Sequence, residues 1–157
     1  MSEAQQESPI VKDVAEVKTL AAATWGEFQP PEPATADDKL WGMLANISVL
    51  FFSILGPVAA LVIKGGTSKF VKFYSIQMLL VGAALIGFSI ITTIAFVILS
   101  YVPILALVAF FVVMGLYGLL GVAALALIVI LGLKANSGVI YKLPMVGPMA
   151  YKMAYGA

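Results

Sequence analysis

Three long apolar segments dominate this chain, at residues 41–63, 74–99 and 104–133, and tyrosine hydroxyls are the only ionisable groups inside them. A helix of about 20 apolar residues is long enough to cross the ~30 Å hydrocarbon core of a bilayer. The pattern therefore predicts an all-α integral membrane protein, a bundle of three transmembrane helices at about 41–63, 70–99 and 104–133. Together these helices form one domain, residues 39–134.

Turn and capping residues separate the predicted helices. The sequence KGGTSK joins the first helix to the second, with Gly65 and Gly66 in the turn and Thr67 or Ser68 as the N-cap. The sequence SYVP joins the second helix to the third, and its Pro103 is well placed to open the third helix. Residues 104–133 contain no strong turn signal, so we expect one long helix there and not two short ones.

Both ends of the chain differ from the apolar centre. Residues 1–28 predict an acidic arm with a short amphipathic helix, whose apolar face includes Ile10, Val14 and Val17 and which is followed by Trp25. We expect this arm to dock on its own membrane domain or the lipid surface, or alternatively on a partner protein. Residues 29–38, QPPEPATADD, predict an extended Pro-rich linker. Residues 135–157 predict a tail that lies along the membrane interface.

The charges are distributed unevenly along the chain. All eight carboxylates lie within residues 1–38, whereas residues 40–157 carry six lysines and no acid. Three of those lysines lie in the 64–73 connector and three in the tail from residue 134, while the 100–103 turn has none. Cytoplasmic loops are enriched in lysine, so three spans predict a cytoplasmic C-terminus and an N-terminus outside. The expected location is the bacterial cytoplasmic (inner) membrane.

The composition limits the chemistry. The chain is 62% hydrophobic and contains no arginine, histidine or cysteine. Zinc, copper and iron–sulfur sites need His or Cys, and so do Cys nucleophiles and Ser–His relays. We therefore expect no catalytic residue, no metal site, no cofactor and no enzyme, with lipid-modifying chemistry by Lys or Tyr at the interface as a remote third hypothesis. The scattered lysines do not indicate nucleic-acid binding.

A few polar residues and one proline interrupt the predicted spans. Asn46 and Gln77 carry amides that need a hydrogen-bond partner in lipid, so we expect interhelical contacts worth about 0.6–2 kcal/mol each. The alternative is that they line a conduit or hold a pigment. Pro57 predicts a kink in the first span.

A further set of residues is expected to fix the depth and orientation of the bundle, through lysine charge or through aromatic rings at the headgroup level. These residues are Trp41, Lys64, Lys69, Phe70, Lys72, Phe73, Tyr74 and Lys134.

Two motifs carry a family resemblance. LANISVLFFSILGPVAALVIKGGTSKFVKFYSIQMLL and KANSGVIYKLPMVGPMA resemble a bacterial family of small membrane proteins of unknown function, related to the twenty-kilodalton subunit of the chloroplast inner-envelope protein import translocon. The family commonly has Asn or His where this chain has Tyr74. The matching positions are Gly56, Pro57, Phe70, Val71, Lys72, Phe73, Gln77, Gly138 and Pro144. The resemblance implies protein translocation or complex assembly.

These features lead to two functional hypotheses. The first is a non-enzymatic structural or assembly subunit of a larger membrane complex, with the lipid bilayer and other membrane-protein subunits as its partners. The alternative, which the resemblance implies, is a protein-translocation or channel component that acts as a homo-oligomer.

Overall fold

A computed structural model describes residues 25–156 of the chain. The described part is mostly helical, as predicted, with two short strands in addition. The predicted amphipathic helix around Ile10, Val14 and Val17 lies outside the described residues. In chain order the elements are β1 (Gly26–Phe28), α1 (Ala36–Ile47), α2 (Val49–Phe52), α3 (Leu55–Lys64), α4 (Lys69–Leu99), α5 (Pro103–Asn136), β2 (Ile140–Lys142) and α6 (Val146–Tyr155).

Helices α4 and α5 form a long antiparallel pair. They have 31 and 34 residues, which corresponds to about 46 and 51 Å. Both are long and apolar enough to cross a membrane, by length and composition. Helix α4 begins after Ser68, whose hydroxyl accepts a hydrogen bond from the Val71 amide at 3.3 Å, and α5 begins at Pro103 as predicted.

The predicted span over residues 41–63 is not confirmed. Helix α1 has 12 residues and α3 has 10, about 18 and 15 Å, so neither reaches across the ~30 Å core alone. Between them the chain leaves the helical conformation at Ser53, whose φ is +51°. Helix α3 then returns beside α1, and both pack against α4. The length of an apolar segment does not distinguish one straight span from such a hairpin, so the sequence pattern alone favoured a span.

Gly56 and Pro57 shape this hairpin. A Cβ atom on Gly56 would lie 2.0 Å from the Ser48 hydroxyl oxygen, so only glycine permits this approach between the two arms. The predicted kink at Pro57 is absent, because the chain breaks earlier and Pro57 lies in the first turn of α3. In a first turn proline costs no helical hydrogen bond. The residue is fully buried.

The hairpin places the acidic linker and the tail at the same end of the molecule. Strand β1 pairs antiparallel with β2, with Gly26 opposite Lys142 and Phe28 opposite Ile140. Strand β1 therefore lies beside the tail, and the predicted placement of the two chain ends on opposite sides of the membrane is not confirmed. The linker also ends earlier than predicted, because α1 begins at Ala36, directly after Thr35.

Thr35 starts α1 through a capping box. Its hydroxyl accepts a hydrogen bond from the Asp38 amide at 3.1 Å, and the Asp38 carboxylate accepts one from the Thr35 amide at 3.0 Å. Such a reciprocal pair satisfies two backbone donors that a helix end leaves free. Thr35 is therefore the boundary between the extended linker and the hairpin.

Most of the buried core lies at this same end. We call this end the cap: β1, β2, α6, residues 69–78 of α4 and residues 128–136 of α5. Helix α6 packs against α4, so the tail predicted to lie along the interface is a folded part of the core. A Cβ atom on Gly147, at the start of α6, would lie 2.7 Å from the Lys142 Cα atom, and glycine is what lets α6 approach β2.

Candidate functional site

Three ion pairs join residues 27–37 to α3, α4 and α5 at the cap end of the molecule. Lys64 pairs with Asp37, Lys69 with Glu32 at 3.3 Å and Lys134 with Glu27 at 2.5 Å. All six side chains are partly or largely exposed, and exposed pairs of this kind contribute about 0–1 kcal/mol each. The three pairs therefore orient residues 27–37 and add little to the free energy of unfolding. Lys64, Lys69 and Lys134 lie together at the cap end of the molecule, and the sequence predicted them on one side of the membrane.

Aromatic rings form the interior of the cap. Phe70, Phe73, Tyr74 and Tyr151 are all buried. The Tyr74 ring makes edge-to-face contacts with Phe70 and Phe73, at centroid distances of 5.1 and 5.3 Å, and Phe73 makes a third with Tyr151 at 6.2 Å. Such pairs add about 0.5–1.5 kcal/mol to the area they bury. Phe70, Phe73 and Tyr74 were predicted to face the membrane interface, and the structure places them inside the cap.

Two side chains of α4 hold the backbone of β2. The Tyr74 hydroxyl donates to the Val139 carbonyl at 2.5 Å and accepts from the Tyr141 amide at 3.3 Å. The Gln77 amide nitrogen donates to the Tyr141 carbonyl at 3.0 Å, and its oxygen accepts from the Leu143 amide at 3.4 Å. Both side chains thus act as backbone mimics that continue the hydrogen bonding of the strand. We call these four hydrogen bonds the strand clamp.

The two amides predicted to make interhelical contacts behave differently. Gln77 has buried partners, but they are on the tail strand and not on a helix. Asn46 donates to the Gly42 carbonyl of its own helix at 2.7 Å, and its oxygen has no hydrogen-bond partner among residues 25–156. Trp41, predicted to anchor the bundle in the interface, packs partly buried against Ala45, Ala60 and Val71.

Lys142 is a fully buried cation in the cap. Its ammonium lies 3.8 Å from the centroid of the Tyr151 ring and 5.1 Å from that of Phe28, and it has no hydrogen-bond partner within the described chain. Burial lowers the pKa of Lys142 from 10.5 to about 8, because desolvation disfavours the charged form. The two ring faces oppose that effect, since they attract a cation. From the sequence, Lys142 was expected only to add positive charge to the tail.

A cavity of about 490 Å³ opens where the N-terminal ends of α1 and α4 meet the end of α6. Both signs of charge line it, from Lys69 and Lys72 and from Glu32 and Asp38. The arrangement presents donors and acceptors together, which suits a polar partner surface. Lys72 was predicted to mark the membrane interface, and the structure places it at this opening.

Three important residues of the cap were missed from the sequence: Tyr141, Lys142 and Tyr151. A signal was present, because VIY places two β-branched residues next to an aromatic one, and such residues are enriched in strands. The prolines that follow hid it, since they favoured an irregular tail. The predicted docking residue Trp25 lies next to β1 and is 67% exposed.

The comparisons with known proteins give one match. The model of the MamF/MmsF family, the magnetosome magnetite crystal formation protein family, matches residues 37–150, so the chain belongs to that family. No curated protein and no solved structure matches the chain.

This match corrects the resemblance to the translocon-related family. A Gly-Pro pair within an apolar segment and an aromatic–lysine helix entry are general features of helix ends in membranes, so they could not separate the two families. Membership implies a magnetosome membrane protein that is involved in crystal formation.

Proposed function

We propose that this member of the magnetosome magnetite crystal formation family is a non-enzymatic structural component of the magnetosome membrane. It holds the folded cap at the membrane surface, where other magnetosome proteins assemble on it. The observation that carries the proposal is the placement of charge. Every charged side chain within residues 25–156 lies at the cap end of the two spans, where three of the four carboxylates form ion pairs with lysines and the fourth, Asp38, caps α1.

The orientation follows from the same charges. Seven lysines of the described chain lie at the cap end, whereas the turn between α4 and α5, residues 100–102, has no charge. The excess of lysine in cytoplasmic segments then favours a cytoplasmic cap. The turn faces the compartment in which the crystal grows. In this arrangement α4 and α5 are the two spans, and the α1–α3 hairpin enters the membrane from the cap side and returns to it.

A magnetosome-forming host whose own copy is deleted provides the test. Three variants are compared with the wild-type chain: Gln77→Met, which removes half of the strand clamp; Thr93→Val, a control in the same helix; and a triple variant with Glu27→Gln, Glu32→Gln and Asp37→Asn. Crystal size is measured by electron microscopy, and immunoblotting checks that each chain reaches the magnetosome membrane.

A structural role predicts that Gln77→Met gives crystals like those of the deletion strain, because the cap opens. Thr93→Val and the triple variant should restore normal crystals, since three exposed ion pairs contribute little to stability. Loss of crystals in the triple variant, with its cap still folded, would mean that the carboxylates act directly on iron. If the wild-type chain does not restore normal crystals in the deletion strain, the proposed role is refuted.

A further inference from the structure

The α1–α3 hairpin reaches only halfway along the spans. At its tip, Ile54 Cδ1 is 4.0 Å from where a Cβ atom on Gly82 would lie, and Gly82 is about 20 Å along α4 from the first residue of that helix. The full length of α4, about 46 Å, matches a bilayer of ~40–45 Å including its headgroups when the helix tilts modestly. With Lys69 at the headgroup level, the inner part of the cap, residues 70–78 of α4, lies within the cap-side leaflet, and the tip of the hairpin lies near the middle of the bilayer.

Charges at the base of the hairpin set its depth. Asp37 and Lys64 are the two ends of the hairpin and form an ion pair, and Lys69 and Glu32 form the next one. Charged groups stay at the headgroup level, because moving them into hydrocarbon is costly. The base is thus held at the membrane surface while the apolar arms extend inward.

The tip of the hairpin is apolar and uncovered. Phe51 is 78% exposed, Leu55 67% and Phe52 65%, and no element of the described chain covers them. Over the first half of α4, α1, α3 and α5 lie beside it, together with α6 at the cap. Over the second half only α4 and α5 remain. The membrane-embedded part is therefore broad in the cap-side leaflet and narrow in the other leaflet.

We propose that the hairpin is a wedge embedded in the acyl chains of the cap-side leaflet, so that the protein favours membranes in which that leaflet is convex. Extra protein cross-section in one leaflet expands it relative to the other, and shallowly inserted apolar helices are sensitive to curvature for the same reason. In the cell the direction rests on the proposed cytoplasmic cap, because the cytoplasmic leaflet is the convex side of a closed compartment. The in vitro preference for a convex cap-side leaflet does not depend on any role in crystal growth.

The test uses the full chain in giant vesicles of phosphatidylethanolamine and phosphatidylglycerol, from which narrow membrane tethers are pulled. The chain has no native cysteine, so Ser137→Cys provides one label position at the cap. An impermeant fluorophore added after reconstitution labels only molecules whose cap faces outward, where the tether makes the cap-side leaflet convex. The expected result is an enrichment of about twofold in the tether relative to the vesicle. Equal density in tether and vesicle would overturn the proposal.

Two double variants test whether the enrichment depends on the hairpin tip or follows from the loss of any two lipid-exposed rings. Phe51→Ser with Phe52→Ser removes the rings at the hairpin tip, and Phe110→Ser with Phe111→Ser removes two lipid-exposed rings from α5 in the other leaflet. The first pair should abolish the enrichment and the second should retain it. Enrichment that survives in the first pair, or disappears equally in both, would contradict the wedge.

A second measurement identifies what covers the tip and does not depend on sorting. Phe51→Trp should be quenched most strongly by lipids brominated near the ends of their acyl chains, after subtraction of the signal from Trp25 and Trp41. Phe51→Cys should give no crosslink between two copies. Crosslinked dimers with little quenching would show that a second copy covers the tip, and that result would replace lipid as the occupant.

Discussion

Replacing Gln77 with methionine is expected to release the C-terminal tail from the bundle while both spans stay in the membrane. The change keeps the length of the side chain and removes two hydrogen bonds, so that the Tyr141 carbonyl and the Leu143 amide lose their partners. An unpaired buried backbone group costs about 1–3 kcal/mol. The free energy of opening the cap should therefore fall by about 2–5 kcal/mol.

Trypsin provides the readout, because Lys142 is fully buried and cleavage after it requires the cap to open. When opening is fast relative to cleavage, the cleavage rate follows the population of the open form. A loss of 2 kcal/mol or more corresponds to an increase of at least about 30-fold. Thr93→Val is the matched control, since the Thr93 hydroxyl bonds only to the Ser89 carbonyl of its own helix at 2.8 Å. Equal cleavage rates in Gln77→Met and Thr93→Val would refute the strand clamp.

Replacing Lys142 with methionine is expected to stabilise the cap at neutral pH and to remove most of its pH dependence. Methionine keeps most of the buried aliphatic volume and removes an ammonium that has no hydrogen-bond partner in the described chain. The lowering of the Lys142 pKa from 10.5 to about 8 corresponds to a cost of about 3 kcal/mol for the buried charge. Lost contacts with the Tyr151 and Phe28 rings offset part of that gain.

The direction of the pH dependence follows from linkage. Because the pKa of Lys142 is lower in the folded cap than in the open chain, the open chain binds more protons between about pH 8 and 10.5, and stability rises with pH there. From about pH 7.5 to about pH 9.5 the wild-type cap should gain about 2 kcal/mol. Above about pH 10 the gain ends, because burial raises the pKa of Tyr155 and an ionised tyrosine then favours the open chain.

Urea titrations of tryptophan fluorescence in micelles at the two pH values measure this gain. Lys152→Met is the control, since it removes an exposed lysine from α6 and leaves Lys142 in place. It should retain the wild-type rise in stability, whereas Lys142→Met should lose most of it. A cap whose stability is the same at both pH values in the wild-type chain would show that the Lys142 charge is not buried as the structure places it.

The sequence predicted the local features of this fold well. The helical class, the turn at residues 100–103, Pro103 at the start of α5 and Ser68 as one of two candidate caps all follow from residue chemistry that acts over a few positions. The lengths of the apolar segments likewise indicated α4 and α5 as membrane-crossing helices.

The predictions that the structure does not confirm depend on contacts beyond the range of a local sequence pattern. Residues 41–63 have the length of a span, and the chain turns back through the positive φ at Ser53 and the close packing of Gly56 against Ser48. Gln77 needed a partner, as its chemistry required, but the partner lies 64 residues further along the chain. The side predicted for the linker depended on the first span. If residues 41–63 do not cross the membrane, the linker lies on the same side as the connector and the tail.

In this structure the chain has two spans and a hairpin that returns to the cap side. Single cysteines introduced into the cysteine-free chain test this topology. Pro33→Cys, Thr67→Cys and Ser137→Cys mark the linker, the connector and the tail, and Tyr101→Cys marks the turn between the spans. In sealed vesicles of uniform orientation, an impermeant thiol reagent should reach the first three from one side and Tyr101→Cys from the other side only. Pro33→Cys reacting from the same side as Tyr101→Cys, and opposite to Thr67→Cys, would mean that residues 41–63 cross the membrane and would contradict the account.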